Sequence, residues 1–363
     1  MTIPSALSTR LCADHDSLRE LRSDWQALAD VARSPLLDHA WFDACAKYLH
    51  ANDTLHVLVQ YDASNTVTAI APLVRIERER RSWLEFLGSA QLYEPSGMLY
   101  RDPATLPALY KAVAGTRWPV QLRRLSADPD HKSLAPQRRW QSGLWMRAMT
   151  APTAVLDLQD GWDAFYATLS SRRRYDHRRA QKRAANFGTL QFQAYQPTVD
   201  EVSGLLERAF AIENRSWKGK QGSSVLKRPQ LESFFRGYSS AAAAEGTLRV
   251  FFLVVDEVAI SMALCVEKYD ALWFLKIGYD DTYAKCSPGI LQLMYIIEHC
   301  CNNGTSRIEH LGSFEPWLAA WTSRVRAHAT FVHYPQNLTG AALLLNDAVR
   351  VLRSRLTSDN QEA

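Results

Sequence analysis

The sequence predicts an α/β chain of two domains, each a mixed, mostly antiparallel sheet flanked by helices. Three observations predict it. At 363 residues the chain is longer than one ordinary core supports. A succession of hairpin, helix and strand recurs in both halves. The two most apolar segments, 248–255 and 258–266, flank Asp256-Glu257 and read as a hairpin at the centre of a sheet. The expected domains are 1–150 and 151–363, with the boundary near Ala151.

The composition narrows the class. Hydrophobic residues at 47% and charged residues at 22% are the values of a soluble globular chain. A net charge of +4 over this length does not call for nucleic acid. No apolar run reaches the length of a membrane span, and the first 25 residues lack the apolar core of a signal peptide. The cytoplasm is therefore the expected compartment. The six cysteines form no C-x-x-C pair and no metal-ligand spacing, so no metal is expected.

Taken in order, 16–31 carries Leu18, Leu21, Trp25 and Leu28 at helical spacing, and 37–49 repeats the pattern with Trp41, Phe42, Cys45 and Leu49. Segments 55–61 and 67–76 read as strands around the turn Asp62-Ala63-Ser64-Asn65. The charged stretch 75–81 reads as a strand end or loop, and 83–87 as a short strand. A helix at 105–114 and a strand at 120–125 follow, then a polar excursion at 128–141. The second half opens with a strand at 152–158 and a helix at 161–169.

Residues 170–188, SSRRRYDHRRAQKRAANFG, are the densest basic run. Ala180, Ala184 and Phe187 give this helix a thin apolar stripe. Its cationic face fits nucleic-acid contact, the lining of an anionic substrate path, or simple exposure. Next come a strand at 190–195, a helix from 199 to about 215 and a polar, aromatic exit, Glu213-Asn214-Arg215-Ser216-Trp217-Lys218-Gly219.

The stretch 272–324 organises the second half. Its apolar strand at 272–278 leads through a polar loop to Ser287-Pro288-Gly289 and a helix. Ser287 reads as the N-cap, Pro288 as the first helical residue and Gly304 as the residue that ends the helix. Gly289 leaves the first-turn N–H groups open to a phosphate or carbonyl. Ordinary core helices begin the same way, so the motif alone does not decide. A strand at 308–311, a last strand at 331–334 and a helix at 341–356 complete the chain.

Together these pieces resemble the GNAT-related acyltransferase family of the cellulose-biosynthesis CelD type, a relative of the FemAB-like aminoacyl transferases. The resemblance rests on the basic helix and strand at 171–192, on Glu213–Gly219, and on Gly278-Tyr279-Asp280-Asp281-Thr282-Tyr283 through Ser287-Pro288-Gly289. Ile308-Glu309-His310-Leu311-Gly312 with Glu315 and Trp321 completes it. It covers about 153–326, and the first half matches more loosely. The sequence departs from the family at Glu257, at Glu309 and in the stretch before Trp321, and it lacks the glycine-spaced acetyl-CoA signature of GNAT enzymes.

The resemblance implies two tandem GNAT-like domains and acyl transfer from an acyl-CoA or acetyl-CoA to an amine or hydroxyl of a sugar or envelope polysaccharide precursor. Glu213 is the first candidate for the base, with Asp280 and Glu309 next and Tyr283 as a proton donor to the leaving group. Ser287, Gly289 and Ile290 are the candidate donor-binding residues. Arg173, Arg178, Trp217 and Lys218 are candidates for the acceptor. His310 reads as a structural hydrogen-bonding residue. Two other functions stay open: an aminoacyl-tRNA-dependent transferase, which would give the basic helix a nucleic-acid role, and a non-enzymatic partner in polysaccharide assembly.

Overall fold

The expected repetition takes a specific form: a hairpin followed by a helical crossover to a parallel strand. The computed structural model describes residues 7–78, 81–127, 143–158 and 161–359. They fall into two compact units. One comprises the chain up to 46, 50–150 and from 327 onward, and the other 47–49 and 151–326. The excursion read at 128–141 lies outside the described residues.

The first unit begins with β1 (Ser8–Cys12), α1 (His15–Glu20), α2 (Arg22–Ala32) and α3 (His39–Ala44). Asp14 caps α1 through the Ser17 N–H at 2.8 Å. Trp25 of α2 is fully buried, its indole N–H donating to the Leu37 carbonyl at 2.9 Å. Then come β2 (Thr54–Leu55), β3 (Val57–Tyr61), β4 (Val67–Ala71), β5 (Leu73–Arg78), β6 (Arg81–Phe86), α4 (Ser89–Leu92) and β7 (Leu99–Tyr100). α5 (Leu106–Gly115) and β8 (Val120–Ser126) follow.

The single strand read at 67–76 is two strands. Pro72 cannot donate to a ladder and divides them between sheets. β4 lies in the order β1-β3-β4-β7, while β5 pairs with β2 and β6. The charged stretch at 75–81 takes the strand-end form of its reading: its described residues close β5 and open β6, Arg78 facing Arg81. β6 then runs parallel to β8, with α5 crossing between them. Leu84, Phe86, Leu109, Tyr110, Val113, Leu122 and Phe331 form the core around this crossover.

The second unit repeats the pattern. β9 (Gly143–Asp157) enters it from Ala151. α6 (Trp162–Thr168), α7 (Ser171–Ala184), β10 (Leu190–Tyr195), α8 (Val202–Asn214), α9 (Trp217–Lys220) and α10 (Pro229–Ala244) follow. Then come β11 (Leu248–Val255), β12 (Val258–Lys268), β13 (Ala271–Tyr279), α11 (Pro288–Asn302) and β14 (Arg307–His310). β15 (Val325–Pro335) and α12 (Leu338–Asp359) close the chain, and 327–359 pack with the first unit. The sheet order is β10-β11-β12-β13-β14-β9, antiparallel except for β13 and β14.

α6, α7 and α11 cover one face, bringing Phe165, Leu169, Ala180, Ala184, Leu291, Leu293 and Ile297 onto Phe251, Leu253, Ala263 and Leu272. α8 and α10 cover the other face, where Lys276 lies over Phe235 and Arg208 over Phe252. The hairpin at Asp256-Glu257 forms as read, with Asp256 left-handed at φ 47°. Its carboxylate accepts the Thr189 N–H at 2.8 Å.

Among the described residues no helix is long and apolar enough to cross a membrane. No group of three or more His, Cys, Asp or Glu among them is placed to hold a metal.

Gly188 is the position where this turn tolerates least. Its φ is 147°, and a Cβ there would meet the Asp256 carboxylate at 2.2 Å. Gly188→Ala should destabilise the second unit by about 1–3 kcal/mol in urea denaturation, through backbone strain and collision together.

Candidate active site

The site begins with a parallel pair that parts. β14 pairs with β13 from Ala271↔Arg307 to Phe274↔His310 and no further. β12 stays paired with β13 to Tyr279. Between Phe274↔Cys265 and Lys276↔Leu264 the register shifts, leaving Leu275 as an extra residue on β13. Such a bulge bends and twists its strand. It sits immediately after the last rung shared with β14, so β13 turns away and 275–279 keep one edge without a strand partner.

The ladder fixes which groups face that edge. The Asp280 N–H donates to the Ile260 carbonyl at 2.8 Å. In an antiparallel ladder bonded and unbonded pairs alternate. Gly278 therefore faces β12, and the backbone groups of Ile277 and Tyr279 face the open edge. The Lys218 ammonium confirms this geometry by donating to the Ile277 carbonyl at 2.8 Å.

Lys218 is held there by the end of α8. Its Nζ lies 3.3 Å from Glu213 Oε1, and the Val225 N–H donates to Glu213 Oε2 at 2.9 Å. Glu213 is fully buried with both oxygens engaged. Gly278 makes room for it, because a Cβ there would lie 3.0 Å from Glu213 Cα. A second ion pair closes the same end: Arg215 Nε donates to Asp280 Oδ2 at 2.5 Å. Burial alone would raise the Asp280 carboxyl, but bonds from Thr282 and Arg215 outweigh it and hold the group below the ordinary carboxylate range. With α8 tied down twice, Ser216 caps α9 and leaves Trp217 about half exposed, at 49%.

At the far end of β13, α11 starts where it was read, with Ser287 at the N-cap and Pro288 first, but without a side-chain cap. Ser287 is left-handed at φ 54°, and its side chain makes no capping bond. The Ile290 and Leu291 N–H groups both return to the Ser287 carbonyl, at 3.1 and 3.2 Å. Only the Gly289 N–H of that turn is left without a partner among the described residues, since Pro288 has none to offer. Gly289 is exposed, and a Cβ there would meet only Tyr279, at 3.8 Å. Ile290 packs its side chain on the core, so its place is structural. Gly304 ends α11 as read, left-handed at φ 78°, with the Thr305 N–H returning to Cys300 at 3.0 Å.

An acyl-CoA fits these features unequally. The open edge at Ile277 and Tyr279 suits the amides of an extended arm, and Gly289 leaves the approach to α11 clear. The helix start offers a phosphate one N–H where several were expected.

The remaining candidates are scattered. Glu309 is buried on β14 between Arg307, at 3.1 Å, and Arg326, whose guanidinium grips it at 3.0 and 2.5 Å. Tyr283 packs against Phe187 in the loop before α11, with ring centroids 5.4 Å apart. On α7, Arg178 is exposed as expected, but Arg173 lies over the Trp321 ring at 4.8 Å. The structure thus brings Glu213, Lys218, Asp280 and Gly289 around the end of β13, with Trp217 next to Lys218 in the chain, and holds Glu309, opposite Trp273, and Arg173 in contacts of their own. The sequence reading missed Leu275, Ile277, Arg215 and Arg326. Arg215 lay inside a motif it had singled out, whereas a bulge has no residue signature.

His310 also departs from its reading. It is 4% exposed, and its Nε2 has no hydrogen-bond partner among the described residues. Burial pushes the imidazole down to about 4.

Two outcomes follow. Gly278→Val would press a branched side chain onto the Glu213 backbone and should lower stability by about 1–3 kcal/mol in thermal or urea melts. For His310, the unfolded imidazole titrates near 6.5 and the folded one near 4. Between those values the unfolded chain binds the extra proton. Its contribution is therefore complete above pH 6.5 and is lost as pH falls toward 4, by up to about 3 kcal/mol. His310→Leu should flatten that part of the stability–pH curve.

Comparison with known proteins bears on the fold. Residues 171–317 match the family model described as an acetyltransferase (GNAT) domain. No curated protein matches the sequence at a significant level. Among solved structures, the chain is similar to the C-terminal domain (DUF2156) of a protein described as a lysylphosphatidylglycerol synthetase from Agrobacterium fabrum. The two share 12% identity and a TM-score of 0.56, over 92% of this chain and 96% of that one. FemX is similar at 11% identity and a TM-score of 0.56, over 86% and 95%. L-PGS from Bacillus licheniformis is similar at 11% and 0.54, over 89% and 95%. At such identities the likeness is one of fold. The part of the second unit at 171–317 thus matches a GNAT acetyltransferase domain, and the whole chain is similar in fold to these structures.

Proposed function

We propose that the chain is an acyltransferase that moves an acyl group from an acyl-CoA to an amine or hydroxyl of a sugar, of the kind found in envelope polysaccharide precursors. The observation that carries the reading is the open edge of β13, created by the Leu275 bulge where β14 leaves the ladder. The Ile277 and Tyr279 backbone groups receive the amides of the donor arm along that edge. The donor's phosphates lie toward Gly289 and the start of α11.

Catalysis rests on placement and on fixed dipoles. Glu213, Asp280 and Glu309 each have a cation on them, so none is offered as an unpaired base. Glu213 acts through Lys218, fixing an ammonium at the open edge beside the donor arm. Asp280 acts through Arg215, fixing the end of α8. Trp217 offers an exposed ring as a wall for the acceptor, and Tyr283 stands near the donor's path as a proton donor to the leaving thiol.

Gly289→Val tests the donor site. It has room for a Cβ, so folding should be retained while acetyl-CoA affinity falls by tenfold or more in isothermal titration. Unchanged affinity would make the start of α11 a helix cap only.

The exposed cationic face of α7, with Arg172, Arg178, Arg179 and Lys182, supports a second reading in which the donor is an aminoacyl-tRNA. That reading requires tRNA binding whose affinity falls steeply with salt, and a shallower slope in Arg178→Glu. Under the acyl-CoA reading, Arg178→Glu leaves the melting temperature and acetyl-CoA affinity unchanged.

A further inference from the structure

His310 occupies the last rung of the parallel pair, opposite Phe274, where the two strands part. Its ring stacks on Phe274 with centroids 4.9 Å apart and planes inclined by 24°. Trp317 meets it edge-on at 5.9 Å. Two aromatic rings thus hold the imidazole, while its buried Nε2 meets no polar group among the described residues. Buried polar atoms are almost always partnered, and one that is not calls for an explanation such as a missing ligand. The position suggests one: the pairing of β13 and β14 ends at this rung, where the edge that the proposed function gives to the donor arm begins. Trp317 is 44% exposed, so it borders both the imidazole and solvent.

We propose that His310 is a substrate-contacting residue whose neutral imidazole donates an Nε2–H hydrogen bond to the carbonyl oxygen of the transferring acyl group. A carbonyl oxygen only accepts, so the nitrogen that meets it carries the proton. A neutral imidazole has one N–H to give, and such a donor aimed at a developing oxyanion is an effective catalytic element. No covalent bond forms to the ring, and it carries no proton away. This role rests on the acyl-CoA reading and identifies the group that distinguishes an acylated donor from free CoA.

The test uses the whole chain labelled with ¹⁵N-histidine, with acetyl-CoA and CoA as probes. Long-range ¹H–¹⁵N spectra report the tautomer and environment of each imidazole, and the His310 signals are those lost in His310→Gln. Acetyl-CoA should shift the His310 Nε2 resonance, and CoA should shift it much less. In calorimetry His310→Leu should bind acetyl-CoA at least tenfold more weakly with CoA affinity unchanged. His310→Gln, which keeps an N–H donor, should recover most of the loss. If the wild type binds acetyl-CoA and the His310 signals do not move, the proposal is overturned while the donor reading stands. If neither CoA nor acetyl-CoA binds, the donor reading fails and His310's role falls with it.

Discussion

The second unit depends on a one-residue mismatch. β13 carries Leu275 as an extra residue against β12 at the point where β14 stops pairing. Had the register run through, β13 and β14 could have continued as an ordinary parallel pair, with every backbone group of 275–279 spent on the ladder. The bulge instead bends β13 while β12 follows it, so one side of the strand remains intact and the other is exposed. A rigid sheet thereby turns backbone dipoles toward one unpaired edge without a flexible loop.

An edge of that kind must be kept from pairing with something else. The end of α8 does this with charge. Lys218 is seated on the Ile277 carbonyl by the buried Glu213, and Arg215 is seated on Asp280 at the strand's end. Gly278 is what allows the helix to come this close. The residues that resemble a catalytic motif in the sequence are thus, in the structure, largely a device for holding a cation at the open edge, with the half-exposed Trp217 next to it in the chain. On β14, Arg307 and Arg326 hold Glu309 in the same manner.

The fold was legible because its signals are local. Apolar strands around Asp256-Glu257, the helix end at Gly304 and the Ala180 and Ala184 stripe of α7 each declare themselves within a few residues. The readings that failed depend on partners far along the chain. Ser287 holds the N-cap position read from Pro288, yet the turn from Asp281 to Cys286 delivers it left-handed and its side chain makes no capping bond. Glu309 is a candidate base by its place at a strand end, and the sequence does not show that Arg326 reaches it from 17 residues away. Arg173 looks solvated until Trp321 lies beneath it. His310 looks like a residue with a hydrogen bond, and only the packed structure shows two rings where a polar partner was expected.

The central claim is that Ile277 and Tyr279 offer their backbone groups to a donor along the edge opened at Leu275. Residue-resolved amide hydrogen exchange tests it most directly. In the free protein the Ile277 and Tyr279 amides should exchange markedly faster than those of Gly278 and Asp280, which face β12, and acetyl-CoA should protect them selectively. Equal protection of all four amides in the free protein, or acetyl-CoA binding that leaves Ile277 and Tyr279 unprotected, would contradict the account.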